Sequence, residues 1–210
     1  MLRNELSEGV KKFTDVSQLA GIYQSDLGFG LGVAVADMDN DGWEDIYVGN
    51  DFYEDDYYYL NNGDGTFTEK GKEIFNQFSM NSMGVDIADC NNDGQLDVLT
   101  VDMLPESEYN LKIYDVVREF YIYENTNIKQ GYHRAFVKNS LQINNGDAQS
   151  FSEIANLSNV ADTDWSWSSL FADFDNDGNK DILITAGIPK LLIDLDFVTY
   201  RNVNNPPEFD

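Results

Sequence analysis

A nine-residue pattern, D-x-[DN]-x-D-G-x-x-D, occurs three times in the chain and constrains its fold more than any other feature. The copies cover residues 37–45, 89–97 and 173–181. Positions 1, 3, 5 and 9 carry side-chain oxygens that can converge on one point, and the glycine at position 6 permits the sharp turn that this requires. So many carboxylates repel one another unless a divalent cation neutralises them. Each copy is therefore a candidate loop for a hard cation.

The residues around each copy favour β-strands over the helices of an EF-hand. Apolar runs rich in Val, Ile and Thr flank the pattern, as residues 33–36 and 46–48 flank the first copy. Position 12, where an EF-hand loop has a bidentate glutamate, is Val48, Thr100 or Ile184. The sequence thus predicts a metal-binding loop inside a β-hairpin. The alternative is an acidic β-turn without metal. Because the pattern occurs three times in the same context, this alternative is the less favoured one.

Composition limits the class of protein. A chain of 210 residues with 42% hydrophobic side chains can bury a core, and one domain is the default. The net charge of −25 argues against nucleic acid or anionic membranes as partners. No run reaches the roughly 18 apolar residues of a membrane span, and residues 1–12 lack the apolar stretch of a signal peptide. Cys90, the single cysteine, excludes an intrachain disulfide.

A second repeated element extends the unit beyond the acidic loop. Residues 57–69 and 140–153 each read as a strand, an Asn-Asn-Gly-Asp turn and a strand, and residues 2–15 resemble a degraded copy. Each hairpin precedes an acidic loop, so the predicted unit is hairpin, spacer, strand, loop, strand. Tandem four-stranded units indicate an all-β fold of β-propeller type, in a fragment of about three blades. We expect a longer parent chain to contribute the remaining blades.

The repeats also suggest boundaries within the chain. Residues 1–188 would hold the repeats, and residues 104–138 would form an insertion that is partly helical around residues 110–120. Residues 189–210 would begin a further insertion or form a loose tail, since they contain a Pro-Pro pair and end in polar residues. The repeat units would be residues 1–50, 51–103 and 139–188.

At this point the sequence resembles a known family. Residues 29–37, Phe-Gly-Leu-Gly-Val-Ala-Val-Ala-Asp, run straight into the first acidic loop and resemble the FG-GAP/VCBS repeat of integrin-α-like β-propellers. Residues 61–67, Asn-Asn-Gly-Asp-Gly-Thr-Phe, are similar to bacterial VCBS-repeat proteins, especially the group related to cartilage acidic protein. The resemblance implies a propeller with calcium in its hairpin loops. It also implies an extracellular, periplasmic or cell-surface location.

The resemblance further implies up to three calcium ions and a ligand set for each. Asn91 carries one charge fewer than an aspartate and predicts weaker binding in the second loop. Lys180, beside the position-9 aspartate, predicts weaker binding in the third loop. The implied side-chain ligands are Asp37, Asp39, Asp41 and Asp45; Asp89, Asn91, Asp93 and Asp97; and Asp173, Asp175, Asp177 and Asp181. Backbone carbonyls at position 7 would complete the shells, in Trp43, Gln95 and Asn179.

Outside the loops the sequence offers little for catalysis. His133 is the single histidine, so a zinc cluster is excluded, and no Gly-x-Ser-x-Gly elbow points to a triad. A glycosidase needs only two carboxylates, so composition does not exclude one. Aromatic runs at residues 51–59 and 165–169 are interpreted as packing between blades, with a ligand surface as the alternative. We expect His133 to be a surface residue of the insertion.

Two functions therefore follow as expectations. The first is a non-catalytic calcium-binding propeller segment of a secreted or surface protein, mediating adhesion or binding to a protein or glycan ligand. The alternative is a propeller segment of a larger calcium-dependent enzyme that acts on polysaccharides, as a lyase or hydrolase. No nucleic acid partner and no membrane insertion by this segment are expected.

Overall fold

The computed structural model of the chain describes residues 1–6, 12–113, 128–146, 149–187 and 199–200, and strands dominate them. The helices are α1 (Gly71–Ile74), α2 (Glu108–Ile113) and a short 3-10 turn at Ile128–Gln130. The strands are β1 (Leu2–Asn4), β2 (Phe13–Asp15), β3 (Phe29–Ala36), β4 (Asp45–Asp51), β5 (Tyr57–Asn61), β6 (Phe67–Glu69), β7 (Phe78–Ser79), β8 (Gly84–Ala88), β9 (Asp97–Val101), β10 (Ala135–Phe136), β11 (Ser140–Asn144), β12 (Phe151–Glu153), β13 (Ser166–Ala172) and β14 (Asp181–Ala186).

Two four-stranded antiparallel sheets form the centre of the molecule. Their strand orders are β3-β4-β5-β6 and β8-β9-β11-β12. Each sheet begins with the hairpin that carries an acidic loop and ends with the Asn-Gly hairpin. The pair β13–β14 repeats the first half of such a sheet, and the pair β1–β2 repeats the second half. The prediction of an all-β fold is confirmed, and the sheets have the build of β-propeller blades.

The sheets are offset from the repeat units derived from the sequence. The hairpin β5–β6 pairs with the acidic-loop strand before it, since Ile46 lies opposite Tyr59. The second sheet follows the same rule across the insertion, with Val98 opposite Gln142. A blade is therefore strand, acidic loop, strand, hairpin, rather than hairpin first. The physical reason is that the short connection at residues 52–56 folds β5 back onto β4, whereas α1 and β7 lead the chain on to the next blade.

The first strands of neighbouring blades lie side by side, with β8 between β3 and β13. Glycines allow this close approach. A Cβ on Gly32 or Gly49 would lie 2.9 or 2.8 Å from Cγ2 of Val85, and a Cβ on Gly84 would lie 2.8 Å from Cα of Ser168. Real Cβ contacts are longer than this. The absence of side chains at these positions thus sets the distance between blades.

Aromatic side chains fill the space around the first blade. Tyr58 faces one side of the sheet, where its ring centroid lies 5.6 Å from that of Phe75. Tyr57 and Tyr59 face the other side, with ring centroids 5.7 Å apart. Tyr58 and Tyr59 are buried, whereas Phe52 is exposed. Strand alternation and two buried faces therefore account for this run of tyrosines as packing.

The insertion is only partly described. Helix α2 begins at Glu108, two residues before the predicted helix, and residues 114–127 lie outside the described residues. The end of the insertion returns to the body, because β10 pairs in parallel with β7. The predicted tail at residues 189–210 also lies outside the described residues, except for residues 199–200.

The expectation that His133 is a surface residue is wrong. His133 is half-buried, its backbone N–H donates to Oδ2 of Asp55 at 2.9 Å, and its Nε2 lies 3.0 Å from the carbonyl oxygen of Phe75. Its ring packs edge-on against Phe78, with centroids 5.4 Å apart. The sequence did not indicate these contacts because their partners lie more than fifty positions away. His133 fastens the end of the insertion to the first blade.

Candidate metal centre

The backbone of each acidic loop organises the position-1 carboxylate. Oδ1 of Asp37 accepts the N–H of Asp41 at 3.0 Å, and Oδ2 accepts the N–H of Gly42 at 2.9 Å. Both oxygens of this aspartate thus point to the inside of the loop. The same bonds run from Asp93 and Gly94 to Asp89, and from Asp177 and Gly178 to Asp173.

Two residues of each loop adopt left-handed backbone conformations. Gly42, at position 6, has a φ of 92°, as the sequence analysis required of the turn glycine. Asn40, at position 4, has a φ of 59°, which asparagine tolerates better than most residues. Position 4 is not among the predicted ligands. The signal was present, because asparagine occupies position 4 in all three copies, at Asn40, Asn92 and Asn176.

The position-9 aspartate ties the loop to the rest of its blade. Asp45 is buried, and its carboxylate accepts the N–H of Met38 in the loop at 3.1 Å and the N–H of Asn61 in β5 at 2.9 Å. Burial raises the pKa of Asp45 to about 6. A cation in the loop would favour the charged form. In the second blade, Asp97 accepts the N–H groups of Cys90 and Asn144.

The structure brings three carboxylates together in the first and third loops. Asp37, Asp39 and Asp45 each offer an oxygen within 4.8 Å of the others, and so do Asp173, Asp175 and Asp177. In the second loop Asn91 replaces one carboxylate, and its amide donates to Oδ2 of Asp93 at 2.9 Å. All of these donors are oxygens, which are the ligands that Ca²⁺ takes. The donor set fits calcium, and the individual ligand assignments stay predictions.

Several predicted ligands lie near these clusters but outside them. Asp41 and Asp181, at positions 5 and 9, are not members of the two three-carboxylate groups. Asp41 accepts the N–H of Trp43 at 2.8 Å, so the turn holds it beside the position-7 backbone. Asp181 accepts the N–H of Phe174 at 3.0 Å. The structure thus brings together three of the four predicted side-chain ligands in the first loop and three of the four in the third.

Neighbouring acidic loops are joined by side-chain hydrogen bonds. The amide of Asn40 donates to Oε1 of Gln95 at 3.2 Å. The amide of Asn92 donates to Oδ1 of Asn179 at 3.1 Å and to the carbonyl of Gly178 at 3.3 Å. Position 4 of one loop thus contacts position 7 of the next. The three loops form one continuous acidic edge across the blades.

Cys90 lies inside the second loop, but it is not poised to bind metal. Burial raises the pKa of its thiol to about 12, and the carboxylate of Asp97 adds to the shift. The thiol is therefore protonated at neutral pH. A protonated sulfur is a poor ligand for a hard cation, and the absence of a ligand at position 2 stays a prediction.

A buried acid, Asp56, holds the first two blades together at a distance from the loops. It accepts the backbone N–H of Asn50 at 2.8 Å, the hydroxyl of Tyr47 at 2.9 Å and the hydroxyl of Ser82 at 2.7 Å. Burial raises its pKa to about 7. Asn139 fills the equivalent place in the second blade, where its Oδ1 accepts the N–H of Asp102 at 2.7 Å. Nothing in the sequence indicates the role of this acid, because it lies outside every motif.

Comparison with known sequences agrees with this geometry. None of the helices in the described part of the chain has the length and apolar character that crossing a bilayer demands. Comparison with curated proteins gives no significant match. The profile of the FG-GAP-like repeat matches residues 37–100 and 121–184, which together exceed half of the chain. The first match contains the acidic loops at residues 37–45 and 89–97, and the second contains the loop at residues 173–181. The chain belongs to the FG-GAP-like repeat family.

Proposed function

We propose that this chain is a non-catalytic, calcium-stabilised β-propeller segment that binds a protein or glycan ligand outside the cytoplasm. Its family membership supports an adhesion-type segment, and such repeats are typical of extracellular or surface proteins. The observation that carries the proposal is the shared geometry of the acidic loops. In each loop, backbone N–H groups hold the position-1 carboxylate facing inward. A catalytic site would need carboxylates with access to a substrate, whereas these are committed to a closed turn.

Calcium would act on the stability of the blades. The loop carboxylates repel one another without an ion, and an ion that binds only the folded form stabilises it by mass action. Extracellular modules bind calcium with dissociation constants of about 10⁻⁴–10⁻³ M. The loops would therefore be filled in a calcium-rich exterior and largely empty in a cytoplasm. The location of the protein would set the occupancy of its loops.

The ligand surface is proposed at the end of the first blade opposite its acidic loop. The connection between β4 and β5 presents Phe52 and Tyr53, which are 54% and 59% exposed. Phe29 lies beside them, with its ring centroid 5.2 Å from that of Phe52. Exposed aromatic rings on a connection held by a rigid sheet suit sugar stacking and protein contacts. The calcium loops at the other end would stabilise this sheet.

The test of the calcium role is thermal unfolding with millimolar CaCl₂ and with excess EGTA. The wild type should melt at a higher temperature with calcium, and the increase should shrink in Asp41→Ala, Asp93→Ala and Asp177→Ala. Asp26→Ala, an exposed acidic residue outside the loops, should keep the full increase. A folded chain whose melting temperature does not change with calcium would overturn the metal part of the proposal.

The test of the binding role is an immobilised panel of acidic and neutral polysaccharides and extracellular proteins. Binding should weaken in a Phe52→Ala/Tyr53→Ala variant that melts like the wild type. Reproducible cleavage of a polysaccharide, abolished by a substitution outside the loops, would contradict the non-catalytic assignment. It would favour the alternative of an enzyme segment.

A further inference from the structure

The asparagine at position 4 of the first two acidic loops reaches outside its own loop. The side-chain amide of Asn40 donates to Oε1 of Gln95 at 3.2 Å, and the amide of Asn92 donates to Oδ1 of Asn179 at 3.1 Å. Both acceptors stand at position 7 of the following loop. The same pair of positions therefore connects the first loop to the second and the second loop to the third, although the loops belong to different sheets.

Both partners of this contact are close to predicted calcium ligands. Position 4 lies between the ligands at positions 3 and 5, which are Asp39 and Asp41 in the first loop. At position 7 the backbone carbonyl is itself a predicted ligand. The backbone N–H of Gln95 donates to Oδ1 of Asp93, the position-5 carboxylate of the second loop, at 2.8 Å. A bond from position 4 to position 7 therefore leads from the ligand set of one loop to that of the next.

The junction between the second and third loops has additional bonds. The amide of Asn92 also donates to the carbonyl oxygen of Gly178 at 3.3 Å. The amide of Asn179 in turn donates to Oδ1 of Asp177, a predicted side-chain ligand, at 3.0 Å. A continuous path of hydrogen bonds thus leads from position 4 of the second loop to a carboxylate of the third. Within the described part of the chain, Asn92 makes two bonds to the next loop, whereas Asn40 makes one.

These bonds couple the order of one loop to the order of the next. Asn40 and Asn92 are exposed, so a loop without an ion leaves their side chains conformational freedom. An ion would fix the ligands at positions 3 and 5, and with them the asparagine between. The neighbouring loop, held by that asparagine, then loses less freedom when it takes its own ion. By linkage the effect has the same size in both directions.

The charges of the ions oppose this coupling. A divalent ion in one loop weakens the negative potential that attracts an ion to the next. The Debye length falls from about 8 Å at 0.15 M salt to about 3 Å at 1 M, so added salt screens the repulsion between ions in exposed loops. A hydrogen bond between two uncharged amides depends much less on salt. Measurements at several salt concentrations therefore separate the two effects.

We propose that the loops bind calcium cooperatively, and that the position-4 asparagines Asn40 and Asn92 couple each loop to the next. The inference rests on the proposed calcium role of the loops and adds a dependence of each loop on its neighbour. One hydrogen bond changes an equilibrium constant by about two- to twelvefold. An ion in the first loop should tighten binding in the second by a factor in this range. The factor between the second and third loops should be larger, because Asn92 makes two bonds.

The first experiment isolates the first two loops by calorimetric titration of an Asp177→Ala chain with CaCl₂. In about 0.5 M NaCl, where repulsion is screened, the second ion should bind more tightly than independent sites allow. Gln95→Ala in this chain removes the acceptor of the bond from Asn40 and leaves every charge in place, so the excess affinity should disappear. Gln24→Ala, the same change at an exposed glutamine outside the loops, should leave the excess unchanged.

The second experiment distinguishes coupling between loops from damage to the second loop itself. In a chain with both Asp41→Ala and Asp177→Ala, the second loop has no filled neighbour. Gln95→Ala should change the affinity of that loop much less than it changes binding of the second ion in the two-loop chain. The Asp41→Ala chain, which keeps the second and third loops, should have the larger coupling factor, and a smaller factor there would contradict the role given to Asn92.

The outcomes separate this inference from the proposed function. A chain that takes up no calcium would overturn both. Calcium binding with independent sites in about 0.5 M NaCl, or with the same coupling before and after Gln95→Ala, would overturn the coupling and leave the calcium role intact. An effect of Gln95→Ala that is as large in the one-loop chain as in the two-loop chain would also overturn the coupling, since the glutamine would then act within its own loop alone.

Discussion

The side-chain amide of Asn40 donates a hydrogen bond to Oε1 of Gln95 at 3.2 Å and so joins the acidic loop of one blade to the loop of the next. Asn92 and Asn179 repeat this relationship between the second and third loops at 3.1 Å. The same asparagine also takes the left-handed conformation that closes its own loop. The asparagine at position 4 therefore stabilises the turn of its own loop and also binds that loop to the next one.

Substitutions at Asn40 should separate these two roles. Asn40→Ala loses the amide. It also places alanine at a φ of 59°, and this left-handed conformation costs about 1–2 kcal/mol for a residue with a Cβ and no polar side chain. Asn40→Gly loses the amide but tolerates the backbone. Urea denaturation in EGTA should therefore rank the free energy of unfolding as wild type, then Asn40→Gly, then Asn40→Ala. Gln95→Ala removes the same bond without backbone strain, so equal losses in all three variants would contradict this account.

Asp45 should stabilise the protein even without calcium. Its buried carboxylate accepts two backbone N–H groups, from Met38 and Asn61, and both would lose their partner in Asp45→Ala. Hydrogen bonds to charged groups contribute about 1.5–3 kcal/mol each. We expect a loss of about 3 kcal/mol in the free energy of unfolding, measured by urea denaturation in EGTA. Asp41→Ala, which removes an exposed acceptor in the same loop, should cost clearly less. Equal losses would show that Asp45 has no structural role beyond the metal.

The second loop should gain calcium affinity from Asn91→Asp. The substitution adds a carboxylate at position 3 and removes the amide that now donates to Asp93. One added charge at a calcium loop should tighten binding roughly tenfold at that site. Isothermal titration with CaCl₂ measures the change. Asp39→Asn, the reverse substitution in the first loop, should weaken binding there by a similar factor. An unchanged titration in both variants would contradict the assignment of position 3 as a ligand.

The stability of the protein should fall as the pH rises towards neutrality because of Asp56. Burial raises its pKa from an ordinary 3.8 to about 7. Between these two values the folded protein retains a proton that the unfolded chain has lost, so the free energy of unfolding decreases with rising pH and levels off above it. Asp102, whose pKa burial raises to about 6, adds a contribution of the same sign.

Asp56→Asn tests this pH dependence. An amide does not titrate, so the fall between about pH 4 and pH 7 should become shallower. Asparagine already occupies the equivalent place in the second blade, at Asn139, where its Oδ1 accepts a backbone N–H. Urea denaturation at a series of pH values in EGTA measures the slope. Asp26→Asn, an exposed control, should keep the wild-type slope, and a wild-type slope in Asp56→Asn would refute the assignment.

Gly84→Ala should disrupt the contact between the second and third blades. A Cβ at Gly84 would lie 2.8 Å from Cα of Ser168 and 2.8 Å from the carbonyl oxygen of Trp167, and backbone atoms cannot move aside cheaply. Overpacking of this kind costs about 1–3 kcal/mol. At Gly30 the nearest atom is 3.4 Å away, a tight but side-chain contact, so Gly30→Ala should lower the melting temperature much less. Equal melting temperatures for the two variants would contradict the close-packing argument.

Local chemistry made much of the fold and the loops predictable. The acidic pattern with its glycine specifies a turn such as that at Gly42, and the flanking Val and Ile runs specify the strands around it. Which strands belong to one blade was not predictable in the same way. It depends on whether Tyr59 pairs with the strand before it or with a later one, and the hairpin sequence is compatible with both. The pairing of Ile46 with Tyr59 and the bond from Asn61 to Asp45 distinguish them.

Long-range contacts explain the remaining differences. The parallel pair of β7 and β10 comprises two residues per strand, which is too short for any periodic signal. His133 finds its partners at Phe75 and Asp55, and nothing near it in the sequence indicates either one. The bond from Asn40 to Gln95 was not predictable for a different reason. It joins two neighbouring loops, and the sequence does not show how close these loops lie. Such contacts arise only when blades are stacked.

The two complete blades have the same build, yet they must form at different times. The bond that closes the first blade joins residues 16 positions apart, whereas its counterpart in the second blade spans 47 positions across the insertion. The longer loop costs about 1 kcal/mol more in closure entropy. During synthesis the first blade can close as soon as its hairpin emerges. Strand β9, buried along its whole length in the finished fold, must meanwhile wait for a partner that is made much later. Until then only β8 pairs with it, and its open apolar edge exposes the nascent chain to aggregation.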